Sequence, residues 1–272
     1  MSVIELADVR LDHPHGGPAL VSGASLAVAA GEIVVIVGAA AAGTSRIVAA
    51  LLGEYAAAAG QVSVLGRDVG KLRRSSLRLL RRRIGIVPQD LCLLEDRSAQ
   101  LNVVLPLEID GIPRSISVER AARLLALLGL EAEAALPVGE LAMAVRQRVA
   151  VARALVREPE LVIADHPTSA QDAEGAELVC GALSDAADRG AACLVLGRDP
   201  ALRAIAERDR WRQLALVHGA LRPVSQIAMQ GIALDDLLVD EASAPIGTAA
   251  AESAPPPNVL PFPLAARPAG VR

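Results

Sequence analysis

The chain has 272 residues, 53% of them hydrophobic but only 1% aromatic, and a net charge of −4. That is enough apolar material for one or two domains whose core must be built from Ala, Val, Leu and Ile. The charge excludes a whole-chain signal for nucleic acid, and no apolar run reaches the roughly 18 residues that a membrane span needs.

Val3–Leu11 and Leu20–Val28 read as two strands joined by a loop of Pro, His and Gly. The N-terminal segment has no basic stretch leading into an apolar one, so no signal peptide is expected. Ile33–Val37 is an unbroken apolar run, the pattern of a buried parallel strand. It leads through Gly38, Ala39, Ala40, Ala41, Ala42, Gly43, Thr44 and Ser45 into a helix that runs to Leu52. The spacing is that of the phosphate-loop pattern G-x-x-x-x-G-K-[ST], but Thr44 stands at the lysine position. Lys71 is the only lysine in the chain, so no nearby lysine replaces the missing charge.

Gln61–Leu65 reads as a short strand and Ser75–Arg83 as a basic helix opened by a serine pair. Ile84–Val87 is a strand that ends at Pro88, Gln89 and Asp90. Helices are predicted over Ser98–Leu107, Ser117–Leu128 and Val145–Arg157, the last stopped before Pro159. Leu161–Ala164 is a second buried-strand run, closed by Asp165. A helix over Asp172–Ala187, a strand over Ala191–Leu196, a helix over Pro200–Arg208 and a last strand over Trp211–Val217 follow. Alternating strands and helices predict an α/β fold with a mostly parallel sheet, and residues about 91–157 form an inserted helical subdomain. The main domain is expected over residues 1–225, a short helical extension over 226–240 and a disordered tail rich in Ala, Pro and Ser over 241–272. In that tail, Val259–Leu264 is either a short docking segment around Phe262 or plain solvated chain.

Cys92, Cys180 and Cys193 are too widely spaced for a zinc pattern or a disulfide framework and read as buried reduced thiols. Arg73, Arg74, Arg78, Arg81, Arg82 and Arg83 form a basic cluster. It is a solvated helix face, or a contact to anionic lipid or a membrane partner; without interleaved aromatic residues nucleic acid is not expected. His13 and His15 share a loop without acidic or cysteine partners at ligand spacing, so no metal site is expected there.

The order of these landmarks resembles the ATPase subunit of an ABC transporter, most of all the FtsE-type cell-division ATPases and the lipoprotein- and lipid-export ATPases. The resemblance rests on Arg81–Asp90 as the strand and Q-loop, and on Gln147–Leu155 as the helix behind the signature. It rests also on Asp165, Pro167, Thr168 and Asp172 as the Walker B and D-loop positions, and it covers roughly residues 2–225. The segments Leu93–Ser98, Asn102–Val103 and Leu105–Leu107 resemble the part that carries the face toward the membrane partner. The resemblance implies a P-loop NTPase fold with an antiparallel β subdomain, ATP and Mg²⁺ as cofactors, and a homodimer or heterodimer without nucleic acid. It also implies an integral membrane permease partner of the FtsX type, and a cytoplasmic place at the inner face of the membrane.

Against that pattern the functional positions are degenerate. Backbone N–H groups at a helix N-terminus ring the phosphates in a P-loop, and Gly38 and Gly43 keep the hinges of the ring while Ala41 stands where glycine is usual. Ser45 keeps a hydroxyl for Mg²⁺, Gln89 the Q-loop side chain and Asp165 the Walker B carboxylate. Thr44 lacks the ammonium group, and Arg46, two residues on along a helix, points about 200° away from it. His166 replaces the glutamate that polarises the attacking water, Arg198 replaces the switch histidine, and His13 takes the place of the aromatic residue that stacks on adenine. The signature Leu-Ser-Gly-Gly-Glu has become Leu141, Ala142, Met143, Ala144 and Val145, which removes the donors that grip the γ-phosphate across the dimer. Asp172 keeps the D-loop aspartate. Three readings follow: a structural or regulatory subunit with little or no ATP hydrolysis, an active transport ATPase with unorthodox residues, and a soluble interaction module.

Overall fold

The unbroken apolar runs demand burial on both faces, and the chain gives it to them. The computed structural model describes residues 2–13, 16, 18–39 and 42–229. In chain order the strands and helices are β1 (Ser2–Leu11), β2 (Val21–Ala29), β3 (Ile33–Gly38), α1 (Thr44–Leu51), β4 (Ala59–Val64), β5 (Arg67–Asp68), α2 (Arg74–Arg81) and β6 (Ile84–Val87). Then come α3 (Ala99–Ile109), α4 (Arg114–Leu127), α5 (Met143–Leu155), β7 (Leu161–Asp165), α6 (Ala173–Asp188), β8 (Ala192–Leu196), α7 (Pro200–Arg208), β9 (Arg212–Val217), β10 (Ala220–Pro223) and α8 (Val224–Met229). Residues 1–239 group as one unit. Ala41, His15, the tail expected over 241–272 and the extension past residue 229 lie outside the described residues.

Six strands in the order β10-β9-β3-β8-β7-β6 form one sheet, and four in the order β2-β1-β4-β5 form another. In the larger sheet β3, β6, β7, β8 and β9 run parallel and only β10 is antiparallel. The smaller sheet is antiparallel throughout. Side chains of a strand alternate between faces, and the larger sheet divides its apolar residues accordingly. Val35, Val37, Val162, Ala164, Cys193 and Val195 pack with α5, α6 and α7. Val34, Ile36, Leu161, Ile163, Leu194 and Leu196 pack with α1 and the antiparallel sheet.

α3, α4 and α5 form the helical part expected over about 91–157, and α5 lies against the sheet edge. The approach of α5 to β6 is close: a Cβ added to Gly85 would stand 2.3 Å from the Ala154 carbonyl oxygen. That contact requires glycine at the second residue of β6.

Three local expectations are corrected. α3 continues through Pro106 to Ile109, because the Arg157 guanidinium bonds the Pro106 carbonyl and pairs with Asp110 at 2.7 Å. β10 follows the strand that was expected to be last; its Pro223 sits at the strand end, on the edge of the sheet, where no ladder donor is needed. Cys92 is exposed, while Cys180 and Cys193 are buried as predicted.

Candidate functional site

Loops at the carboxyl ends of β3, β6, β7 and β8 enclose a pocket of about 590 Å³. The β3–α1 joint contributes Gly38, Thr44 and Ser45, and the end of β6 contributes Gln89. The turn after β7 brings His166 and Ser169, and the turn after β8 brings Arg198 and Asp199. Crevices outside the carboxyl ends of parallel strands are where open α/β sheets bind ligands.

Gly43 shapes the turn that leads into α1. It caps α1 at φ 103 and ψ 6, and a Cβ there would also press on Leu20 at 3.0 Å. Only glycine meets both demands. No side chain caps α1, so the positive end of the helix faces the pocket through its unpaired first N–H groups. Thr44 is half-buried, its methyl packed over Gly38, and Ser45 is exposed. Arg46 turns away: its guanidinium stacks 4.9 Å from the centre of the Tyr55 ring.

Behind the pocket Asp165 ends β7 with 8% exposure. Its Oδ1 is buried without a hydrogen-bond partner among the described residues. Burial raises its carboxyl pKa, and the neighbouring His166, with Nε2 3.9 Å from Oδ1, pulls it partly back. A buried carboxylate oxygen without a donor fits a cation that shares the site. Ser45, Gln89 and Asp165 supply oxygen donors of the kind Mg²⁺ takes, and these are the residues that would hold it.

Several supporting residues escaped the sequence reading. Gln147 of α5 is buried; its Nε2 donates to the His166 carbonyl at 2.7 Å and to Ser169 at 3.1 Å, and its Oε1 accepts from Ala170 N–H and Gln171. This network holds His166 in a left-handed conformation at φ 54, with its N–H bonded to the Leu196 carbonyl at 2.7 Å. Thr168 donates to Asp199 Oδ2 at 2.7 Å while Asp199 Oδ1 caps α7 through the Leu202 N–H at 2.9 Å. Arg153 clamps the strained turn after Gln89. There Leu91 and Cys92 both take positive φ, and their carbonyls accept from Arg153 at 2.6 and 2.5 Å. Each such residue costs about 1 kcal/mol or more, which charge-assisted bonds offset. The signals were present only as polar types at helical or loop positions, because their partners lie far away in sequence.

Other predicted residues stand elsewhere. His13 does not line the pocket. Leu141, Ala142, Met143 and Ala144 form the start of α5, outside the pocket lining, with Met143 56% exposed. Asp172 caps α6 by accepting from the Gly175 N–H at 2.8 Å. Of the segment expected to face a partner, Leu94–Arg97 are exposed, but Asn102, Val103 and Leu107 are buried. Asn102 instead ties down the 94–98 turn through bonds to Leu94 and Ser98.

A family model described as ABC transporter matches residues 21–169. The methionine import ATP-binding protein MetN of Brucella abortus (strain 2308) is 36% identical over 221 residues, 80% of this chain and 58% of that protein. MetN of Caulobacter vibrioides is 38% identical over 177 residues, 65% of this chain and 53% of that protein. The chain thus spans little more than half the length of these curated relatives, and their methionine-import names do not meet the expectation of a particular closeness to FtsE. Among solved structures, a dimeric post-hydrolysis state of an ATP-binding cassette bound to ADP and Pi is similar with a TM-score of 0.73 and 26% identity, over 80% of this chain and 96% of that one. A structure of the ATP binding subunit of an ABC transporter, 21% identical with a TM-score of 0.73, shares the fold. With a family match over residues 21–169 and relatives 36% identical over 80% of it, the chain belongs to the ABC transporter family, as an ATP-binding domain.

Proposed function

We propose that this chain is a degenerate ATP-binding subunit of an ABC transporter, one that holds nucleotide weakly and does not hydrolyse it at ordinary ABC rates. It would act as a structural or regulatory partner of an integral membrane permease. One observation carries the reading: the pocket lined by Gly38, Ser45 and Gln89 has Thr44 where the lysine belongs and His166 where the glutamate belongs. Losing one such charge-stabilising group commonly costs about a hundred- to a thousandfold in rate. Here Met143 and Ala142 also remove the signature from whatever site faces α5, so a heterodimer with a competent ATPase would not recover an intact pair of sites.

The relatives' names favour an import assembly over the FtsX-type assembly of cell division. On that ground the transported substrate would be methionine or a similar small amino acid, and the subunit would lie against the permease at the cytoplasmic face. No helix among the described residues is long and apolar enough to cross a membrane, which fits peripheral attachment. Dimerisation is proposed from the dimeric cassette described above.

The test is phosphate release by the purified chain with Mg²⁺ and ATP, alongside calorimetric titration with ATP. Weak or no binding and no release above background are expected. Turnover at ordinary ABC rates would overturn the proposal and favour an active ATPase, a reading supported by the Asp165–His166 approach of 3.9 Å. In that case Asp165→Ala would abolish the turnover.

A further inference from the structure

We infer that Arg198 takes over the phosphate-neutralising role vacated at position 44, from the neighbouring turn after β8. The inference rests on reading the pocket as a nucleotide site and names the side chain that would determine its affinity.

A polyphosphate brings several negative charges, and a helix N-terminus offers only about half a charge in return. The pocket therefore needs a fixed cation. Thr44 provides none, and Lys71 lies outside the pocket lining, paired with Asp68 at 2.8 Å. Arg46 is committed to the face of Tyr55. Among the described residues that line the pocket, Arg198 is the only arginine or lysine.

Arg198 is also free to act. It is exposed, and among the described residues no carboxylate or carbonyl holds its guanidinium. Its neighbour Asp199 does not compete for it: one oxygen of that carboxylate caps α7 and the other accepts from Thr168. The same two bonds fix the backbone turn that carries Arg198, because Thr168 is 1% exposed and rooted in the turn after β7. An arginine on a pinned turn, lining the same pocket of about 590 Å³ as the start of α1, can add its charge to an anion held there. Its planar fork bonds two oxygens at once, which suits a terminal phosphate better than a point charge does. The chain has thus moved the cation from the phosphate loop to the turn after β8: a site suited to holding a phosphate, without a group there that can shuttle a proton.

The experiment is calorimetric titration of ATP and ADP into the full chain and into Arg198→Ala, Arg198→Lys and the double variant Arg198→Ala with Thr44→Lys. A bond to a charged group is worth about ten- to a hundredfold in affinity. Arg198→Ala is expected to lose that factor, Arg198→Lys to bind between that variant and the unaltered chain, and the double variant to recover the affinity. Circular dichroism should show every variant folded, since Arg198 is exposed. Arg198→Ala binding within twofold of the unaltered chain would overturn the inference and leave the proposed function standing. No measurable nucleotide binding by the unaltered chain would also overturn it. ATP turnover at ordinary rates would instead sink the proposed function while leaving the role of Arg198 to be read from affinity.

Discussion

At the residue scale, Thr44 and Cys92 each sit where a single chemical change has a calculable effect. Thr44 lines the pocket at the positive end of α1, so a lysine there would add its charge to an anion site whose backbone is already shaped by Gly43. Thr44→Lys is expected to raise ATP affinity about ten- to a hundredfold in a calorimetric titration, with phosphate release still at background. No gain would mean that the loop no longer forms an anion nest. Cys92 makes a different case. The thiol bonds Asp90 Oδ1 at 3.0 Å, and this bond, then burial, then the Asp90 charge push its pKa up against a smaller pull from Arg153. A raised pKa leaves little thiolate near neutrality, so alkylation should be slow at pH 7 and should accelerate as pH rises past the ordinary thiol range. Asp90→Asn removes the charge, lowers the pKa and should speed labelling at pH 7; unchanged or slower labelling would contradict the assignment. Cys180 and Cys193, each pushed up to about 12 chiefly by burial, should stay unlabelled in the folded chain.

At the element scale, α5 links the degenerate signature to the pocket. Its N-cap, Ala142, already has the extended backbone of a capping residue, φ −59 and ψ 152, but no side-chain oxygen. Ala142→Ser should therefore stabilise the fold by about 0.5–2 kcal/mol, read as a higher urea midpoint at constant slope. A midpoint that does not move would show that water caps the helix equally well. The parallel strands that carry the site were legible in the sequence, because Ile33–Val37, Leu161–Ala164 and Ala191–Leu196 are apolar runs too short for helices and ended by glycine or aspartate. The joint between β3 and α1 was legible from its glycine spacing, and Thr44, Gln89, His166 and Arg198 line one pocket. The strand order β10-β9-β3-β8-β7-β6 was not legible, since β3 sits between β9 and β8, both far from it in chain sequence. The passage of α3 through Pro106 was hidden too: proline breaks a helix unless something else holds the turn. Here Arg157, fifty-one residues on, does so. Gln147, Arg153 and Asp199 escaped for the same reason, each being an ordinary polar residue until its partners are in place.

At the scale of the whole molecule, the proposed reading separates the fold from the catalytic groups. The two cores on either side of the six-stranded sheet are complete, and the loops at its carboxyl edge still converge on one pocket. On the proposed reading, what differs from a working ATPase is a set of side chains contributed by four separate places: Thr44 on α1, His166 after β7, Arg198 after β8, and Ala142 with Met143 at the start of α5. Groups that act together in a transition state are strongly non-additive, so restoring one of them leaves the reaction limited by the others. Single reversions, Thr44→Lys, His166→Glu, Arg198→His or Met143→Gly with Ala142→Ser, should each leave phosphate release at background. The full combination should raise it by orders of magnitude, because the backbone that positions these groups is intact. His166 sits at φ 54 inside the Gln147 network, and an exchange there must keep that turn; the bonds from Gln147 run to its carbonyl and to its neighbours, not to the imidazole, so glutamate can be seated without breaking them. If the combined variant folds, dimerises and still releases no phosphate, the loss of activity lies in the geometry of the assembly and not in the side chains. If one reversion alone restores turnover, the chain is an active ATPase short of a single group, and the reading of a structural subunit falls.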